Sequence, residues 1–363
     1  MKNGLKWMDS DMHLAEPWDL WQSYVEPELR EQVPELTGIE PGHDPLLHGP
    51  HKDIIDIHKI KVAAFREYMR PDGKAVDPEG QLRAMDREGI DMAILYPTIG
   101  LPTQGPNPPG MAAKLRAAYN SWLHDFCSYE PSRLKMNAMI ATHDIDLAVQ
   151  EIRRSKELGA VSFFMDPRAG DTGYDDPVYE PIWAEAEKLD LAIGFHGPTQ
   201  PQVAARYAHH RENHAWLHSA SRPVGHMFTL MELLFGGVLE RHPTLRVVFL
   251  EAGASWVPFW LFRLEEEWEK FRQVHEDLAA NVTMPPLEYW KRQCFCSVEV
   301  DEWSLQGVVA SMGDETLVVS SDFPHFDCAF PEAGDRFLAL PGVSLESKRR
   351  ILWDNCARLY NLN

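Results

Sequence analysis

Leu134-Lys135-Met136-Asn137-Ala138-Met139-Ile140 reads as a strand, and the apolar spacing over 145–158, stopped by Gly159, reads as a helix. Ala160-Val161-Ser162-Phe163-Phe164-Met165 then reads as a second strand. Both strands are short and mostly apolar, as strands covered on both faces are. A strand, a helix and a strand in this order make one crossover unit of a parallel sheet, right-handed by rule.

The unit repeats in both directions. Upstream, the pattern predicts a helix over 79–88 with Gly89 as its stop, a strand Asp91-Met92-Ala93-Ile94-Leu95-Tyr96-Pro97, and a helix over 111–128. Downstream it predicts helices over 178–189, 223–241, 255–271, 303–311 and 345–360, with strands ending near His196, Glu251, Val300 and Asp322 between them. Leu5-Lys6-Trp7-Met8 supplies a first strand. Eight strands alternating with helices predict a (β/α)8 TIM barrel, for which the ~250 residues usual in that fold fit within this chain. A doubly wound open sheet is the rival, but no G-x-G-x-x-G follows a strand. Residues 22–75 are rich in proline and irregular, and read as a long insertion after strand one, a lid or loop region with surface histidines. The whole of 1–363 is thus expected to be one barrel domain.

Composition narrows the partners. There are 55 acidic residues against 35 basic ones, a net charge of −20, and no Lys/Arg-rich run. Nucleic acid and anionic membrane are therefore not expected as partners, and a small-molecule substrate is. A small anion is still admissible, because a local cation or metal overrides the global field. No run approaches the ~18 apolar residues of a membrane span, and no signal-type N-terminus is read, so a cytoplasmic location is expected. The five cysteines are scattered. Cys294-Phe295-Cys296 has no second cysteine pair and reads as strand residues rather than a metal ligand pair.

A barrel gathers the C-terminal ends of all its strands at one mouth. In Asp9-Ser10-Asp11-Met12-His13, Asp11 and His13 are two apart, which puts both on one face of a strand. Strand five ends in His196, strand six in Glu251, strand eight in Asp322 followed by His325. Two imidazoles and two carboxylates from strands one, five and eight make an N/O site suited to Zn²⁺, Mn²⁺ or Fe²⁺, with Zn²⁺ first. His218, one turn after His214, belongs to a capping helix with substrate contacts. Arg168, after strand four, is a candidate partner for a substrate carboxylate. Trp256, Trp260 and Trp268 share one helix face and read as core or subunit contact.

The order of these motifs resembles the amidohydrolase superfamily, in the branch that includes aminocarboxymuconate-semialdehyde decarboxylase and γ-resorcylate decarboxylase. The resemblance runs from Asp11-Met12-His13 through Gly194-Phe195-His196, the 246–253 segment and Ser321-Asp322-Phe323-Pro324-His325 to the 351–360 segment. It implies one divalent metal on Asp11, His13, His196 and Asp322, with Asp322 also handling protons, and a homodimer or larger oligomer. Many of the branch's decarboxylases carry a histidine where this chain has Glu251, so Glu251 would take up proton traffic with a different resting charge. The implied reaction is nonoxidative decarboxylation of a small aromatic or unsaturated acid. Hydrolysis by metal-activated water on a C–C, amide or lactone bond uses the same ligands, and a barrel that binds ligand without chemistry is the non-enzymatic alternative.

Overall fold

The computed structural model describes residues 2–17, 19–32, 65–73, 75–98, 110–167, 172–197, 206–207, 209 and 214–362, with only the backbone of His214 and Leu217. Eight parallel strands follow one another in chain order. They are β1 (Met8–His13), β2 (Met92–Tyr96), β3 (Leu134–Met139), β4 (Ser162–Met165), β5 (Ala192–Phe195), β6 (Val247–Phe249), β7 (Cys294–Val298) and β8 (Leu317–Val319). Their side chains are buried almost throughout, because helices cover the outside and side chains fill the inside. This is the expected barrel, with β1 and β8 in contact at the seam.

The helices that matter for the site are α1 (Leu20–Tyr24), α2 (Pro78–Glu88), α3 (Met111–Cys127), α4 (Ile145–Glu157), α5 (Glu180–Lys188), α6 (His214–Phe235), α7 (Trp256–Phe271), α8 (Pro286–Gln293), α9 (Leu305–Met312) and α10 (Asn355–Tyr360). Their starts carry ordinary local chemistry. Asp77 caps α2 by accepting from the Gly80 amide, and Asp144 caps α4 by accepting from Leu147. Gly89 ends α2 at φ 84°, the left-handed turn that favours glycine. Trp256 and Trp268 are buried, and Trp260 packs partly buried against the core, as their shared face predicts. Cys294 and Cys296 are buried strand residues of β7.

Three boundaries differ from the sequence reading. The first strand begins at Met8 rather than Leu5, so Asp11 and His13 lie inside it. Helix α6 starts at His214 and runs through Pro223 instead of starting there. The missing N–H of Pro223 costs about 3 kcal/mol in a helix interior, and burial of His226, Thr229, Leu230 and Leu233 on the next turns offsets it. The last helix is broken by a π-type turn at Arg350–Asp354 before α10. The 22–75 insertion is described only at 22–32, 65–73 and 75; the rest of it, with its histidines, lies outside the described residues.

Candidate metal centre at the barrel mouth

The seam between β1 and β8 builds the site. A bulge shifts the register of β1 between Asp9 and Met12, which rotates the strand locally and unpairs part of its backbone. Cross-links to the β8 end take over: Asp322 N donates to Asp11 O at 3.1 Å, and His13 N donates to Phe323 O at 2.7 Å. Asp9 Oδ1 accepts from both Asp11 N and Ser321 N at 3.1 Å. Glu251 and Asp322 follow β6 and β8 with φ of 60° and 54°. A residue with a Cβ is strained there by ~1–2 kcal/mol, and such strain gathers where side chains must be aimed.

His13 and His196 face each other, Nε2 to Nε2, at 3.2 Å. His13 Nδ1 lies 2.7 Å from Pro97 O, so it carries the proton and Nε2 presents a lone pair. Asp11 brings Oδ1 to 3.3 Å from His13 Nε2 and Oδ2 to 3.5 Å from His196 Nε2. Asp11, His13 and His196 therefore place their ligand atoms in one cluster. Asp322 Oδ1 is 3.4 Å from His13 Nε2 and 2.7 Å from His325 Nδ1, and forms a second cluster with those two histidines. The expected quartet is thus met as a trio with Asp322 at its rim, joined through His13. His325, whose ring centroid is 3.8 Å from that of His13, faces the site.

The residues fit a divalent cation. Both carboxylate oxygens of Asp11 are buried without a hydrogen-bond partner, and the buried Oδ1 of Asp322 and Oε2 of Glu251 meet only imidazole nitrogens, an arrangement that is costly unless something positive shares them. Separations of 3.2–3.5 Å within the trio are close to the roughly 3.4 Å expected between ligands about 2.1 Å from one tetrahedral ion. Protonation tells the same story. Burial lifts Asp11 to about 6, and burial with Asp327 and Glu251 lifts Asp322 well above the ordinary carboxylate range. Burial and then His196 hold His13 well below its ordinary value. A bound cation reverses the pressure on the two carboxyls, and the neutral state already favoured at His13 is the one a ligand needs.

Glu251 behaves differently from Asp322. Burial pushes its carboxyl up, but Arg222 and then His196 outweigh it and hold the group well below the ordinary value. Arg222 Nη2 donates to Oε1 at 2.6 Å, and Oε2 is 3.1 Å from His196 Nε2. His218 Nε2 lies 3.7 Å from both Glu251 Oε1 and Asp327 Oδ2. A cavity of about 460 Å³ opens beside the centre, lined by His218 and Arg222 from α6, Glu251, Glu299, Asp322 and Asp327. That is room for a small substrate. Burial and Asp327 raise Glu299, just past β7, to about 8. Arg222, Glu299 and Asp327 were not singled out in sequence. The position of Glu299 at a strand end was a usable signal; Arg222, on a helix, carried none. Arg168 lies outside the described residues.

Comparison with known proteins bears on this geometry. A family model described as amidohydrolase matches residues 9–362. The 2-amino-3-carboxymuconate-6-semialdehyde decarboxylase of Dictyostelium discoideum is 26% identical over 301 residues, covering 82% of this chain and 80% of that protein. The γ-resorcylate decarboxylase of Rhodococcus jostii (strain RHA1) is 27% identical over 308 residues, covering 78% and 87%. Among solved structures, a 2,6-dihydroxybenzoate decarboxylase bound to 2,6-dihydroxybenzoate superposes with a TM-score of 0.71 at 21% identity, covering 99% of this chain and 100% of that one. A 5-carboxyvanillate decarboxylase of Novosphingobium aromaticivorans, complexed with manganese and 4-hydroxy-3-methoxy-5-nitrobenzoic acid, gives 0.72 at 18% identity, covering 99% and 97%. At these identities the structural likenesses bear on the fold alone. No helix among the described residues is long and apolar enough to cross a membrane.

Proposed function

Because the chain belongs to the amidohydrolase family and is an enzyme of that superfamily, we propose that it is a metal-dependent carbon–carbon lyase. It removes the carboxylate of a small aromatic or unsaturated acid without oxidation. The observation that carries this reading is the buried convergence of Asp11, His13 and His196, with Asp322 in contact with His13, beside a cavity of substrate size. The matched relatives named as decarboxylases support the choice of reaction.

Asp11, His13, His196 and Asp322 would hold the ion, Mn²⁺ or Zn²⁺ serving an N/O set of this kind. When bound, the ion supplies positive charge that binds an acidic substrate and stabilises charge developing as the bond breaks. The chain's own groups do the rest. In the net reaction the bond between the ring or vinyl carbon and its carboxylate breaks, CO₂ leaves, and the electron pair stays on carbon. That carbon takes one proton. Asp322 is the group placed to give it, since it sits at the rim of the cluster, against His325, and lines the cavity. Glu251 stays charged, orients His196 through Oε2 and fixes Arg222 through Oε1. His218 and His325 border the substrate's space, and residues 1–363 act as one domain.

The test is direct. The purified chain is supplied with Mn²⁺ or Zn²⁺ and incubated with 2,6-dihydroxybenzoate, 5-carboxyvanillate and related acids, and released CO₂ is measured. Metal content is measured on wild type, H196A and D322N. CO₂ release by wild type, its loss of about 10³-fold or more in D322N, and lowered metal content in H196A are expected. Full metal content in both variants would remove this ligand set. Product from an amide or lactone without CO₂ would turn the reading to hydrolysis.

A further inference from the structure

Arg116 lies in the second turn of α3 and is 3% exposed. Its Nε and Nη1 are buried without a hydrogen-bond partner. Among the described residues no carboxylate comes within ion-pair distance of it. A guanidinium cannot shed its charge, so burying one unpaired is among the costlier things a fold does. Burial drags this one down to about 10, and only the field of Asp166 opposes that. Such a residue, outside the metal cluster and unused by the reaction above, calls for a ligand.

Its position says which ligand. Helix α3 comes after β2, whose last residue, Tyr96, accepts from Leu14 N just past β1, so its first turns lie at the mouth end of the barrel. Asp166 follows β4 directly, and His143, whose titration also feels Arg116, follows β3. Gly197, next to His196, packs so near Asp166 that an added Cβ would sit 3.9 Å from Asp166 Cα. Arg116 therefore belongs to the β3–β4 side of the mouth, and it differs from Arg222, which Glu251 already neutralises. One turn along α3, on the same face, Tyr119 has a fully buried hydroxyl without a partner.

We propose that Arg116 is an anion-binding residue that receives a carboxylate of the substrate on the β3–β4 side of the mouth, with the Tyr119 hydroxyl as a neighbouring donor. A planar, fixed fork of N–H groups matches a carboxylate and has no use for a neutral ring. This assignment rests on the proposed preference for small acids, but its readout is binding rather than turnover. Arg116 was not legible in sequence, because a lone arginine on an amphipathic helix reads as surface.

The experiment compares 2,6-dihydroxybenzoate with resorcinol, the same ring without the carboxylate, by calorimetric titration of the full chain supplied with Mn²⁺. Wild type, R116M and R116K are used. R116M should lose about tenfold or more in affinity for the acid and keep its affinity for resorcinol. Without ligand it should melt no lower than wild type, since an apolar chain replaces an unpaired buried charge. R116K, with charge but no fork, should fall between, and it carries the test should R116M fold poorly. Unchanged acid affinity in the variants, or equal losses for acid and resorcinol, overturns the proposal. So does a wild type that does not prefer the acid, whether or not CO₂ is released. A selective loss of acid binding without any CO₂ release would keep Arg116 in this role and remove the decarboxylase reading instead.

Discussion

Oδ1 of Asp9 accepts two backbone amides, Asp11 N and Ser321 N, one on each side of the barrel seam. Each amide belongs to a segment that carries a candidate ligand, so one oxygen sets the spacing between Asp11 and Asp322. Replacing Asp9 by alanine strands two buried donors at about 1–3 kcal/mol apiece. D9N keeps an oxygen acceptor in place. D9A is therefore expected to lower stability by roughly 2–6 kcal/mol in urea denaturation and to weaken Mn²⁺ binding at least tenfold, with D9N recovering most of both. Equal Mn²⁺ affinity in D9A and wild type would show that the seam does not position the ligands. The sequence reading singled out Asp11 and His13 and gave Asp9 no role. On a regular strand residues 9, 11 and 13 share a face, and only the bulge between Asp9 and Met12 sends Asp9 to the seam while Asp11 meets the histidines.

At the scale of elements, strand positions were legible because a buried parallel strand leaves an apolar run that little else imitates. The strand ends followed, which is why His196, Glu251 and Asp322 were in view before any coordinates. Helix α6 was misread at Pro223 because local propensity is overridden by the packing of its later turns. With it went the reach of Arg222 into the site. Helix pairing carries its own consequence. Glu185 on α5 accepts from Arg153 of α4 at 2.7 Å and from Lys188 at 3.0 Å. The Arg153 hydrogen bond leads in bringing its carboxyl down to about 2. A depressed folded-state value means the stabilisation is complete above the unfolded value of ~4.3 and fades as pH falls toward 2. E185Q should therefore be less stable than wild type at pH 6. The gap should close between pH 4 and pH 2 in thermal melts, and a gap that persists at pH 2 would assign the loss to packing.

For the whole molecule, the acidic surplus of −20 extends into the mouth, where Asp11, Glu251, Glu299, Asp322 and Asp327 crowd together and, among the described residues, Arg222 is the one arginine lining the cavity. Without a cation this crowd of carboxylates works against the fold, and the raised values of Asp11, Asp322 and Glu299 are the sign of that conflict. A bound divalent ion turns the same groups into a source of stability, by about 2.7 kcal/mol at a hundredfold excess over Kd. In a chain of this length that is roughly 3–4 °C in Tm. Two curves separate this from a site that merely tolerates metal. Stripped of metal by chelator, D322N should melt at or above wild type, because one carboxylate of the crowd has been neutralised. With Mn²⁺ added, wild type should rise by roughly 3–4 °C and overtake D322N, which should rise by less than half as much. If chelation leaves the wild-type Tm unchanged and D322N tracks it at every Mn²⁺ concentration, then the strain at β6 and β8 and the unpartnered oxygens at the mouth serve something other than a cation.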